Sequence, residues 1–102
     1  MACTESMIAA AHGRPLFALG RVVSTPAALN LLGNQTLTPY AYLARHASGD
    51  WGTVCAEDAK MNDLAMRQGG RILSCYQVGA ARLWIITEAD RSATTLLLPE
   101  EY

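Results

Sequence analysis

The sequence predicts an α+β domain of element order β-α-α-α-β-β-β, an antiparallel sheet with helices packed on one face. Three observations carry that expectation. Arg71-Ile-Leu-Ser-Cys-Tyr, Leu83-Trp-Ile-Ile-Thr and Thr94-Thr-Leu-Leu-Leu are β-branched, aromatic and apolar runs joined by short turns, and Pro99 stops the ladder. Thr25-Pro26 and Thr38-Pro39 each set a hydroxyl cap before a proline at the first helical position. Sequential strands with short connections are most simply an antiparallel meander covered by the preceding helices.

Residues 1 to 13 have no sustained period and read as a flexible N-terminal arm, leaving 14 to 102 as a single domain. Leu16 to Val23 is the first strand, with Gly20 marking a bulge or a close approach. Ala27 to Leu32 is a short helix that Gly33 ends with a left-handed stop. A second helix, Tyr40 to Ala47, sets Tyr40, Leu43, Ala44 and Ala47 on one face by three-four spacing. Ser48-Gly49-Asp50-Trp51-Gly52 is a tight corner. Ala56 to Gln68 follows, with Glu57 and Asp58 near its positive end, Arg67 near its negative end and Gly69 closing it. The strands are Arg71 to Val78, Arg82 to Glu88 and Ser92 to Leu98, and the first strand pairs with one of these.

A chain of 102 residues buries roughly 60 to 70% of its unfolded surface and needs no cofactor or staple to fold. Its apolar content of 51% against 17% charged residues implies a full core or an apolar patch kept for a partner. The formal charge of -1 supplies no field to draw a polyanion, which disfavours nucleic acid as the main partner. All but Lys60 of the eight basic residues are arginine, which suits bidentate contacts but also follows from a GC-rich genome. Cys3, Cys55 and Cys75 form no CxxC pair, so no disulfide framework or zinc site is implied and a reducing cytoplasm fits best. No run is long enough for a membrane span.

No nucleophile, phosphate-loop or metal motif is present, and no metal or cofactor is expected. Glu88, Asp90 and Arg91, between two strands, could orient a polar ligand or form a solvated turn. His46 precedes Asp50 by four residues, a spacing that would let the carboxylate orient the imidazole, although a helix C-terminus favours histidine by itself. Trp51 is either an exposed anchor for a protein partner or a plug folded over the sheet. Trp84 reads as packing in a strand buried on both faces. Ser74, Tyr76, Thr94 and Thr95 could line a polar groove on the sheet face away from the helices, or be ordinary strand residues. Cys55, Cys75 and His12 have no evident chemical partner.

His46-Ala-Ser-Gly-Asp-Trp-Gly, Gly70-Arg-Ile-Leu-Ser-Cys-Tyr and the run from Leu83 to Tyr102 resemble a family of short uncharacterised proteins frequent on plasmids and integrative elements of proteobacteria. The resemblance covers about the C-terminal half and implies a genetic setting and a cytoplasmic location, not a catalytic residue. The layout alone is similar to the RelE/ParE class of small toxins, from which the chain departs in its slight acidity and its extra helix.

Two functions follow as expectations. The first is an accessory protein of a mobile element that binds a host or element-encoded protein and inhibits a defence system of the anti-CRISPR or anti-restriction type, with Asp50, Trp51, Asp90 and Arg91 at the contact. The alternative is a RelE/ParE-like toxin or ribonuclease using His46 or Glu88 as base and Arg71 or Arg91 on the phosphate. An unpaired edge strand would also permit a homodimer.

Overall fold

The computed structural model describes residues 15–102; the arm at 1–13, His12 and Cys3 lie outside the described residues. The elements are β1 (Arg21–Ser24), α1 (Pro26–Asn34), α2 (Pro39–Ala47), α3 (Ala56–Gln68), β2 (Ile72–Val78), β3 (Ala81–Thr87) and β4 (Ala93–Leu97), then a 3-10 turn at Pro99–Glu101. The α+β class and the element order are as the sequence predicts.

The sheet order is β1-β4-β3-β2. β2, β3 and β4 form the expected antiparallel meander, but β1 runs parallel to β4, so the sheet is mixed. Parallel pairing follows from the long crossover through three helices, which returns the chain to the far edge in the same direction. β1 is also shorter than expected. Leu16 to Leu19 lies outside the strand, and the Leu16 N–H donates to the Ala47 carbonyl at the end of α2. Gly20, with φ of +64°, makes the close approach read from the sequence, since a Cβ there would collide with the Arg91 and Ser92 backbone. The next N–H, of Arg21, then reaches the Ser92 carbonyl at 3.0 Å.

Thr25 caps α1 by accepting the Ala28 N–H, with Pro26 in the first turn. α1 runs through Gly33 rather than stopping there. The left-handed residue is Thr36, at φ of 57°, where the Thr36 and Leu37 N–H groups donate to the Gly33 and Leu32 carbonyls in a Schellman closure. α2 begins at Pro39 but receives no side-chain cap from Thr38. Gly69 ends α3 at φ of 91°.

Ala28 and Leu32 of α1 and Leu43, Ala44 and Ala47 of α2 pack on Tyr76, Val78, Leu83, Ile85 and Leu96. These sheet residues alternate along their strands and share one face. α3 abuts the outer edge of β2, where the Asn62 side chain donates to the Leu73 carbonyl at 2.7 Å and accepts the Leu73 N–H at 3.2 Å. Further along that edge the Thr53 N–H donates to the Cys75 carbonyl and the Cys75 N–H to the Trp51 carbonyl. β2 therefore presents no bare edge at Leu73 or Cys75. On the opposite sheet face Tyr102 reaches from Trp84, 5.6 Å between ring centroids, to Arg71, and so lies across the row that holds Ile86. Trp84 is half-buried there, while Ile86 is only 4% exposed.

Asn62→Ala removes both partners of the Leu73 peptide and is expected to cost about 2–4 kcal/mol, measured as a lower urea midpoint with an unchanged m-value.

Candidate functional site

His46 stands in the last turn of α2 on the same stripe as Leu43 and Ala47, so the period that buries those residues buries the imidazole, which has no exposed surface. Nδ1 lies 2.6 Å from Ser74 Oγ and Nε2 lies 2.8 Å from Thr87 Oγ1. Thr87 Oγ1 is in turn 2.7 Å from Thr94 Oγ1, and Thr94 donates to the Leu19 carbonyl at 2.7 Å. A carbonyl only accepts, and that fixes the protons back as far as the imidazole. Thr94 spends its proton on Leu19, so Thr87 donates to Thr94 and His46 donates from Nε2 to Thr87; because burial keeps the ring neutral, Nδ1 carries no proton and accepts from Ser74. The imidazole is the neutral Nε2–H tautomer, and burial pushes its pKa down to about 3.

The expectation that Asp50 orients His46 is therefore corrected, because the sheet hydroxyls hold the ring. The polar groove expected on the far face is corrected as well. Ser74, Tyr76 and Thr94 face the helices and are buried, while Thr95, next along β4, points the other way. A general base must come within hydrogen-bond reach of its substrate, and His46 has neither a free nitrogen nor exposed surface.

At the corner, Gly49 and Gly52 take φ of +87° and +76°, and a Cβ on Gly52 would run into the Cys75 carbonyl. The Asp50 carboxylate accepts from Arg45 Nε at 2.7 Å and from the Gly52 N–H at 3.1 Å. The bond to Asp50 raises the Arg45 pKa, and the guanidinium lies 4.6 Å from the Tyr76 ring centroid. Trp51 is folded inward, 6% exposed, with Nε1 donating to Asp63 at 3.0 Å and its ring stacked on Phe17. Of the two readings of Trp51, the side chain adopts the plug.

Arg91, at φ of 61°, sends its guanidinium back beneath the β3–β4 turn. It donates to the carbonyls of Gly70 at 2.7 Å, Ala65 at 2.8 Å and Glu88 at 3.0 Å, tying the negative end of α3 to the sheet. The Ser92 hydroxyl, and after it the Ser92 N–H that donates to Asp90 at 2.9 Å, hold the Asp90 carboxyl below the usual range. Arg71 pairs with Glu88 at 3.4 Å, both partly exposed. Both belong to the face opposite Ile72 and Thr87, so the sheet separates them from His46. His46, Glu88, Arg71 and Arg91 thus do not converge on one cleft. Among the described residues no group of three or more His, Cys, Asp or Glu side chains is placed to hold a metal, and no helix is long and apolar enough to cross a membrane.

The surface that sequence reasoning missed is the α1–α2 hairpin. Leu29, Leu37 and Tyr40 are 49%, 41% and 45% exposed. No charged residue falls between Arg21 and Arg45, although that stretch includes exposed Asn30, Asn34, Gln35 and Thr36. The signal was present as a gap in the charge pattern, whereas periodicity registers only the buried stripe.

Two outcomes follow. His46 is neutral in the folded chain down to about pH 3, whereas in the unfolded chain it takes up a proton below about pH 6.5. Its contribution to stability is thus complete above pH 6.5 and falls by about 1 kcal/mol per pH unit as pH drops towards 3. Urea unfolding across that window should show this component in the wild type and not in His46→Gln. Trp51→Ala should lower stability by about 3–5 kcal/mol in the same measurement, as expected of a buried aromatic.

No protein-family model matches the chain, and no curated protein or solved structure matches it at a significant level.

Proposed function

We propose that the chain acts by binding another protein, and that its uncharged helical hairpin is the contact surface. The observation that carries this reading is the exposure of Leu37 and Tyr40 in a stretch that holds no charge from Val22 to Ala44. Solvated helix faces ordinarily carry Lys, Glu and Arg, while the centres of protein interfaces are depleted of charge and enriched in tyrosine. The fixed partners of His46 take it out of the ribonuclease reading, and of the two bases considered only Glu88 is reachable, where the Arg71 guanidinium holds its carboxylate at 3.4 Å. The C-terminal resemblance supplies the setting: an accessory protein of a mobile genetic element that occupies a surface of a host defence complex, of the CRISPR or restriction kind. In this reading the Asp50–Trp51 corner and the Asp90–Arg91 turn hold the scaffold, and the hairpin tip contributes the affinity.

Affinity capture of the tagged chain from a proteobacterial extract should recover a host protein in comparable molar amount. Leu37→Asp and Tyr40→Asp should each reduce recovery at least tenfold while leaving the circular dichroism spectrum unchanged. Recovery undiminished by both substitutions would exclude the hairpin. Toxic expression relieved by His46→Gln would restore the enzymatic alternative. For the defence setting, co-expression should raise plasmid transformation of a restricting strain.

A further inference from the structure

The two edges of the sheet are finished differently. At β2 the outward peptide groups of Leu73 and Cys75 are occupied by Asn62, Trp51 and Thr53. At β1 the N–H groups of Arg21 and Thr25 point inward to the Ser92 and Leu96 carbonyls of the β4 side. By the two-residue period, Val22 and Ser24 therefore turn their N–H and C=O groups outward. Among the described residues no other strand lies beyond them. Native proteins guard such an edge with charge, proline or a covering element. Between Val22 and Ser24, β1 has neither charge nor proline and, among the described residues, no covering strand, and Val23 is 38% exposed beside it.

We propose that β1 pairs antiparallel with β1 of a second copy of this chain, across a two-fold axis at Val23. The register follows from the directions of the peptide groups. Each Val22 exchanges both backbone bonds with Ser24 of the other copy, and the two Val23 residues meet as a non-hydrogen-bonded pair, Cα atoms about 4.5 Å apart. Their β-branched side chains cover each other on the sheet face away from the helices. An isologous contact brings each surface against itself, so any charge near the axis would meet its like. The gap in charge from Val22 to Ala44 meets that condition. The flanking charges are Arg21 and the Glu101 carboxylate that accepts from Thr25 Oγ1 at 2.7 Å; Arg21 falls opposite Thr25 of the other copy, beside an opposite charge, and about 13 Å along the strand from its own counterpart, beyond the screening length of about 8 Å in physiological salt.

So short a strand pair buries less than the roughly 1,200 Å² of a stable interface. The remainder would come from α1, which packs on β4 and, with its exposed Leu29, is carried alongside its counterpart. The dimer would be a continuous eight-stranded sheet with four hairpin helices on one face, and the hairpin tips at Leu37 and Tyr40 would remain open. The inference is independent of the host partner, because it concerns the purified chain alone.

Sedimentation equilibrium of the full chain should give twice the 11.0 kDa protomer mass, and Val23→Lys should give the protomer mass with an unchanged circular dichroism spectrum. In a Cys3→Ser, Cys55→Ser background, Val23→Cys oxidised by diamide should form an intermolecular disulfide, each pair of thiols giving up two protons and two electrons to the oxidant. A protomer mass at every concentration would overturn the proposal. So would a dimer that persists in Val23→Lys or fails to cross-link through Val23→Cys.

Discussion

The structure depends on a row of buried hydrogen bonds whose direction is set at one end. Because the Leu19 carbonyl can only accept and the buried imidazole is neutral, Thr94, Thr87, His46 and Ser74 have a single self-consistent arrangement of protons. That row joins β2, α2, β3, β4 and the segment before β1. It runs between the sheet and α2, where an unpaired polar atom would cost the most. No buried side-chain nitrogen or oxygen among the described residues lacks a partner. A one-residue slip of β2 or β3 would turn Ser74 or Thr87 to the other face and leave a nitrogen of the imidazole unpaired, and a slip of β4 would take Thr94 from Thr87, so the row specifies register as well as adding stability.

Around this centre the residues most suggestive of chemistry serve as ties between elements. Arg91 closes the end of α3 with its guanidinium, Asp50 fixes the corner through Arg45 and Gly52, and Trp51 joins that corner to α3 through Asp63. Phe17 sits among them, edge-on to His46, stacked on Trp51 and under the Arg91 guanidinium. From Val22 to Ala44 the exposed side chains are uncharged, Leu29, Leu37 and Tyr40 among them, whereas α3 exposes Glu57, Asp58, Lys60 and Arg67. The molecule thus sets one uncharged surface on the hairpin against a charged one on α3.

Local signals made most of the fold legible. Thr25-Pro26, Thr38-Pro39 and Gly69 act within a turn of their own position, and the three C-terminal strands announce themselves by composition and by the turns between them. The misreadings at β1 have a non-local cause. Leu16 to Leu19 has strand chemistry, yet its first N–H is taken by the end of α2. The parallel partner of β1 stands at the other end of the chain, where no spacing rule reaches. Gly33 was expected to stop α1, but the closure needs one left-handed residue at the correct distance from Leu32, and Thr36 occupies it.

The candidate site was legible in its residue types and not in its pairings. Asp50 follows His46 closely in sequence, but Ser74 and Thr87, 28 and 41 residues away, hold the ring. The most direct test is the imidazole itself. In a His12→Gln chain, nitrogen-15 correlation spectra should show His46 as the neutral Nε2–H tautomer with shifts constant from pH 8 to pH 5. A titration centred near 6.5, or a proton on Nδ1, would contradict the buried row and return His46 to the list of reactive groups.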